Sequence, residues 1–254
     1  MTLSVNLSGK VALITGASSG IGRGVAIEMA KSGCHVFINF PPHEGKDAAL
    51  SVLTEIEHHG GSASLAPADV SSESEVSHMF CALMAAAGRL DILVNNAGIA
   101  RSAPIEDITM DDWRAVMEVH VNGTFLCTRA ALPIMYQQDS GRIINTASQL
   151  AYKGAPGFAH YTAAKGAILS FTRTLTLEIG TRDITANCVA PGATLTPILD
   201  DVPKDILAQI GHAIPRGKLA DVDDIVGTFI FLASDSAAHF RGQCLSPNGG
   251  DVFL

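Results

Sequence analysis

Tyr161 and Lys165 are separated by three residues in "YTAAK", and Ser148 lies upstream of them in "TASQLAYKGAPGFAHYTAAK". A Lys four residues after a Tyr sits one helical turn further on, on the same face. An ammonium beside a phenol favours the phenolate and lowers the phenol pKa from its ordinary ~10. A phenol tuned in this way gives or takes a proton at a carbonyl or alcohol oxygen. A hydroxyl at Ser148, at the end of a strand, is placed to bond that same oxygen. The competing reading is a solvated helix face with Ser148 as a strand-end cap. Tyr152 and Lys153 show how readily such residues fall together, and that pair is given no role.

A second cluster could hold an anion. "TGASSGIG" (15–22) brings Gly16, Gly20 and Gly22 between a strand-like and a helix-like run. Glycine tolerates positive φ and lets a phosphate approach the backbone. The following helix start offers free N–H groups and the positive end of its dipole to a pyrophosphate. Tight strand-to-helix turns use glycine for packing alone, so the context of a first βα unit is what favours a dinucleotide site. The acid that grips ribose hydroxyls belongs about 20 residues further on. Here Phe40 and Pro41 occupy that place, so neither an acid nor a cation stands there.

These residues need a scaffold. Short β-rich runs at 10–15, 35–39, 62–67, 91–95, 142–147, 184–190 and 243–248 alternate with helix-like patterns at 20–32, 46–59, 73–88, 109–135, 160–180 and 222–234. That alternation predicts a parallel sheet covered on both faces. No linker or repeat interrupts it, so one doubly wound α/β domain is expected over 1–254. Residues 193–218 are Pro-punctuated and follow a strand, which suits a mobile substrate lid.

Composition narrows the function classes. The 254 residues are 47% hydrophobic and 17% charged, which allows a large core and excludes disorder. The net charge of −8 and the lack of a Lys/Arg run argue against a nucleic-acid partner. No apolar run reaches membrane-spanning length, and the first residues lack the pattern of a secretory leader. Five cysteines without metal-ligand spacing predict reduced thiols in a cytoplasmic protein and no metal site.

Taken in order, "TGASSGIG", "DV" (69–70), "NNAG" (95–98), Ser148, "YTAAK" and "PG" (191–192) followed by Thr196 resemble the short-chain dehydrogenase/reductase family along essentially the whole chain. The resemblance implies a Rossmann-type fold with a mostly parallel seven-stranded sheet. It implies that Gly16, Ser18, Ser19, Gly20, Ile21 and Gly22 hold the pyrophosphate of a nicotinamide cofactor, with Phe40, Asp69 and Val70 by the adenosine end. Asn96, Ala97 and Gly98 would line the ribose and anchor the central strand. Pro191, Gly192, Thr194 and Thr196 would position the nicotinamide. Tyr161 would be the acid/base, Ser148 would orient the substrate oxygen, and Lys165 would bond the ribose and tune Tyr161.

One departure stands out. The family's Asn in the helix after "NNAG" is replaced by His120, and Asn122 lies two residues off. Either the backbone carbonyl of His120 serves the water that links the Lys to solvent, or its ring relays protons near neutrality.

The implied activity is hydride transfer between a nicotinamide cofactor and a secondary alcohol or ketone. Gln149, Leu150 and Arg101 are expected beside the substrate, and a small hydroxylated compound such as a sugar or sugar acid is favoured. The alternatives are a 3-oxoacyl or steroid-like carbonyl reductase and a non-catalytic nucleotide sensor. NAD is expected over NADP, because Ser19 and Pro41 leave a 2′-phosphate without a cation, although His43 or Lys46 could swing in. The resemblance also implies a homo-oligomer, a tetramer or a dimer, built in part on "FIFLAS" (229–234) and "DVFL" (251–254).

Overall fold

A computed structural model describes residues 5–200 and 202–253 of the chain. Seven strands form one sheet: β1 (Val11–Ile14), β2 (His35–Phe40), β3 (Ser62–Pro67), β4 (Ile92–Asn95), β5 (Ser140–Thr146), β6 (Asp183–Val189) and β7 (Cys244–Leu245). They lie side by side in the order β3-β2-β1-β4-β5-β6-β7, and every neighbouring pair is parallel. The helices are α1 (Gly20–Lys31), α2 (Lys46–His58), α3 (Glu73–Ala87), α4 (Met110–Met117), α5 (Gly123–Gln138), α6 (Leu150–Lys153), α7 (Ala159–Ile179), α8 (Lys204–Ala213) and α9 (Val222–Ala233).

The strands read as continuous apolar runs because both faces of the sheet are covered. In β1, Ala12 and Ile14 face one core layer with Val25 and Met29 of α1, Val52 and Ile56 of α2, and Ile225 and Phe229 of α9. Val11 and Leu13 face the other layer, with Met79 and Leu83 of α3, Leu126 and Met135 of α5, and Leu175 and Ile179 of α7. The period of two in a strand sends alternate residues to opposite faces. The fold is therefore the doubly wound arrangement that the alternation predicts.

Several local expectations change. The helix expected over 109–135 is two helices joined by a π-helical turn, Glu118–Asn122, which inserts one extra residue per turn and swings His120 inward. The last strand is two residues long, since Pro247 cannot donate to a ladder. The 193–218 segment is not bare loop. It carries a 3₁₀ turn at Pro197–Leu199 and the helix α8. Its neck is pinned where Leu195 N donates to Ala220 O at 2.9 Å and Ala220 N to Ala193 O at 2.9 Å. Of "FIFLAS", Phe229, Ile230 and Leu232 are buried in the core and Phe231 packs half-buried against it. Phe253 is exposed, and Leu254 lies outside the described residues.

Candidate active site

β1 and β4 are neighbours, yet β1 leads outward to β2 and β4 leads the other way to β5. Loops leaving their carboxyl ends part company there and open a crevice, the usual ligand edge of such a sheet. The glycine loop sits in this crevice. Ala17 N donates to Asn39 O at 2.8 Å, and Gly16 N to Asn39 Oδ1 at 3.2 Å. Thr15 Oγ1 accepts from Asn96 N at 2.9 Å and Ala97 N at 3.0 Å, while Asn96 Nδ2 donates to Thr15 O and Gly16 O. Asn96 is thus a staple between the end of β4 and the glycine loop, a structural task beyond the expected ribose contact.

The cradle fits a pyrophosphate. Gly16 and Gly20 have φ of +62° and +54°, and a Cβ on Gly16 would lie 2.8 Å from Ala97 Cα. A Cβ on Gly22 would lie 2.3 Å from Gly16 O, so the loop packs on the first turn of α1 with no room for a side chain. Ser19 caps α1 without a side-chain hydrogen bond, and the first turn carries no acid. The free amides and dipole of that turn face the loop. Thr196 closes over it, 3.3 Å from where a Gly20 Cβ would be. Thr194 is buried and donates to Gly192 O at 2.9 Å. Pro191 O accepts from Gln149 N at 3.1 Å, which ties the "PG" turn to the Ser148 loop. Phe40 is buried at the end of β2, and Ser18 lies against Gly45. Asp69 Oδ1 accepts from Ser71 N and Oγ, holding the turn before α3, and Val70 is buried against Gly123.

The second half of the crevice holds the proton-transfer candidates. β5 ends at Thr146, and Ser148 just beyond it is buried, its Oγ accepting from Leu150 N at 3.1 Å. Tyr161 is in the first turn of α7 and Lys165 in the next. Lys165 Nζ donates to Thr146 O at 2.6 Å and lies 5.6 Å from the Tyr161 ring centroid. Burial pushes the Lys165 amine down to about 7.

Burial works against the lowering of the Tyr161 pKa expected from Lys165. Burial raises the Tyr161 phenol above its ordinary value, and the opposing pull comes from the Ser148 hydroxyl that faces it. The Lys165 amine lies over the ring, and burial disfavours its charge.

His120 is buried, edge-on to Tyr161 with ring centroids 5.3 Å apart. Its Nε2 lies 2.7 Å from Ile99 O and 3.0 Å from Ile99 N, while Nδ1 is buried without a partner among the described residues. A Cβ on Gly98 would lie 2.4 Å from His120 Cε1, so the ring fills the place that Gly98 leaves. Burial first, and the charge of Lys165 second, push the imidazole down to about 3. Of the two roles expected of His120, burial disfavours the one in which the ring relays protons near neutrality. His120→Asn is expected to leave the pH profile of turnover without any lost inflection between pH ~5 and ~8, since the ring is neutral throughout. A vanished inflection in that range, measured as kcat/KM against pH, would contradict it.

The other expected residues divide. Asn122 is exposed and donates to Glu118 Oε2 at 2.6 Å, outside the site. Arg101 is paired with Asp112, which occupies the guanidinium expected to meet a substrate carboxylate. Gln149 is buried, and its Nε2 donates to Asp251 Oδ2 at 2.7 Å. Lys153 Nζ donates to the same oxygen at 2.6 Å. Leu150 opens α6 beside Ser148. Asp251 was not expected here, and only its distance along the chain hid it. Also unforeseen is a buried polar chain under the site. Asn95 Nδ2 donates to Asn145 Oδ1 at 2.8 Å, and Asn145 Nδ2 to Thr172 Oγ1 at 2.8 Å.

The comparisons agree with this geometry. Residues 10–207 match the short chain dehydrogenase family. A 3-oxoacyl-[acyl-carrier-protein] reductase of Synechocystis sp. is 38% identical over 98% of this chain and 99% of its own. The (2S)-[(R)-hydroxy(phenyl)methyl]succinyl-CoA dehydrogenase subunit BbsD of Thauera aromatica is 38% identical over 97% of this chain and 98% of its own. A crystal structure from Beutenbergia cavernae, described as a candidate NAD(P) dependent gluconate 5-dehydrogenase with NADP bound at low occupancy, superposes with a TM-score of 0.91 at 36% identity, covering 97% of this chain and 98% of that one. With its parallel sheet, glycine cradle and full-length relatives, the chain belongs to the short-chain dehydrogenase family of nicotinamide-dependent oxidoreductases.

Proposed function

We propose that the chain reduces a ketone, or oxidises the matching secondary alcohol, with Tyr161 as the acid/base. The observation that carries this reading is the meeting of the Ser148 hydroxyl and the Tyr161 phenol beside Lys165, at the same sheet edge as the Gly16–Gly22 cradle. A bound nicotinamide would supply or accept the hydride. The α1 amides with Gly16, Ser18 and Gly20 would hold its pyrophosphate, and Thr194 and Thr196 would flank its nicotinamide end. Lys165 Nζ would hold the nicotinamide ribose. Ser148 Oγ orients the substrate oxygen. Tyr161 gives that oxygen its proton in reduction and takes it back in oxidation. The 193–218 segment, held at its pinned neck, would cover the substrate.

A 3-oxoacyl thioester is the substrate class favoured first. Leu195, Ile198 and Ile206 of that segment are exposed apolar side chains suited to an acyl chain. Two of the relatives carry names of acyl-thioester chemistry. A sugar acid, the class favoured by the sequence, is the second reading. It is supported by the buried Gln149, whose Oε1 lacks a partner among the described residues and would accept from a substrate hydroxyl. The test compares kcat/KM for a 3-oxoacyl-CoA with that for a keto-sugar acid, read at the nicotinamide absorbance band. Absence of turnover with every ketone offered would overturn the oxidoreductase reading.

The expected preference for NAD finds no support, and the reading here is NADP. Gly45 is tucked against Ser18, with a Cβ there 3.2 Å from Ser18 Oγ, so the loop 41–45 folds over the glycine loop. Lys46 opens α2 immediately after it, and a 2′-phosphate at that helix start would meet both an ammonium and free amides. Lys46→Ala is expected to raise KM for NADPH by ~10-fold, the worth of one charge-assisted bond, with KM for NADH little changed. Equal effects on both cofactors would refute it. The same reading puts the enzyme in the cytoplasm, consistent with the buried free thiols of Cys34, Cys127 and Cys188.

A further inference from the structure

Cys188 of β6 and Cys244 of β7 are register partners in neighbouring parallel strands. Such partners point to the same face of the sheet from backbones ~4.8 Å apart. That spacing lies within the ~4.4–6.8 Å between Cα atoms that a disulfide bridges. Both side chains enter the small cluster formed by Ala147, Ile168, Leu169 and Ala190, beneath α7. Cys188 Sγ donates to Thr172 Oγ1 at 3.1 Å, two turns beyond Lys165 on the same helix. Cys188 is buried and Cys244 is partly exposed. The other three cysteines differ. Cys34 and Cys127 are buried in opposite core layers, and Cys81 is exposed on α3.

We propose that Cys188 and Cys244 are a peroxide-sensitive dithiol: a hydroperoxide oxidises Cys244, Cys188 closes the intramolecular disulfide, and the cross-link slows the enzyme. The Cys244 sulfur attacks a peroxide oxygen. An S–O bond forms, the O–O bond breaks, and the alcohol or water that leaves takes up the thiol proton. The Cys188 sulfur then attacks the Cys244 sulfur. The S–S bond forms, the S–O bond breaks, and hydroxide leaves as water with the Cys188 proton. In sum, two thiols lose two electrons, and one hydroperoxide becomes an alcohol and a water.

Exposure sets the order, and electrostatics agree with it. The neighbouring Cys188 lowers the pKa of Cys244, and the same contact raises that of Cys188. Cys244 is therefore the attacking sulfur and Cys188 the resolving one. The consequence reaches the site through the backbone and through α7. The disulfide fastens β7, which leads into Asn248 and the Asp251 that holds Gln149, and it takes from Thr172 of α7 the thiol that donates to it. The slowing rests on the reading of Tyr161 and Lys165 as the proton-transfer pair, whereas the thiol chemistry does not.

The test uses the full chain carrying Cys81→Ser, which removes the exposed thiol. After treatment with hydrogen peroxide, the expected result is a mass lower by two hydrogens and two fewer titratable thiols. A peptide pair joining Cys188 to Cys244 should appear, and turnover should fall several-fold. Dithiothreitol should reverse all of these. With Cys188→Ala added, dimedone should trap a sulfenic acid at Cys244 and no cross-link should form. Cys244→Ser should keep its turnover under peroxide. A cross-link between any other pair, or Cys244 passing to sulfinic acid with Cys188 intact, overturns the dithiol. A correct cross-link with unchanged turnover overturns the slowing. A reduced protein inactive on every ketone overturns the catalytic reading and the slowing with it, while the mass still reads the thiol chemistry.

Discussion

Replacing Tyr161 with Phe is expected to lower kcat by ~10²–10⁴, the usual worth of one positioned acid/base group, while cofactor affinity stays near normal. The substitution deletes one oxygen and keeps the ring. The ring's edge contacts with His120, at 5.3 Å, and with Phe158, at 6.2 Å, therefore survive, and so does the packing of the first turn of α7. The glycine cradle on the far side of the crevice is untouched. Burial holds the phenol above its ordinary pKa, so Tyr161 is protonated throughout the neutral range and ready to donate to a carbonyl oxygen. The reverse direction needs the phenolate, whose fraction grows with pH. Alcohol oxidation is thus expected to rise as pH climbs towards the phenol pKa, while ketone reduction loses nothing to Tyr161 over that climb. A folded Tyr161→Phe protein with near-normal kcat, or an oxidation rate at saturating cofactor that falls with rising pH, would remove Tyr161 from the mechanism.

The strands were legible because a strand buried on both faces has nothing polar to hide it, as "VALI" and "ILVN" show. The glycine loop was legible for the opposite reason: positive φ and near-contact with Gly16 O leave no other residue type. What stayed hidden depends on contacts that spacing does not encode. A π-helical turn adds a residue without altering composition, so 109–135 read as one helix and the burial of His120 went unseen. Spacing put Lys165 beside Tyr161 correctly, but the sign of its influence depends on burial, which desolvates both groups. Arg101 looked available because Asp112 is eleven residues away on another element. The helix α8 was masked by its flanking Pro203 and Pro215, which mark the ends of an element as readily as the absence of one.

Lys165→Met is expected to abolish most turnover and yet raise the melting temperature. Lys165 is 3% exposed, and its hydrogen bond among the described residues runs to Thr146 O. Burial lowers its pKa from 10.5 to about 7. Between those two values the unfolded chain binds a proton that the folded chain releases. Stability from this group is therefore greatest at high pH and is lost as pH falls from about 10 towards 7. At neutral pH the buried amine costs on the order of 1 kcal/mol or more, after allowance for its bond to Thr146 O. Met fills a similar volume without charge, so the variant should melt higher by about 2–4 °C per kcal/mol recovered, and its excess over wild type should shrink as pH rises to 10. Activity goes the other way. Loss of the ammonium removes the proposed hold on the nicotinamide ribose, so cofactor KM should rise by ~10-fold or more and kcat should fall by ~10². In the wild type, kcat/KM for the cofactor, which reports the free enzyme, should decline as pH passes upward through about 7 and the amine loses its proton. A less stable Lys165→Met protein would show that the lysine is held in the fold by favourable pairing rather than at a cost. Unchanged cofactor KM would separate Lys165 from the ribose.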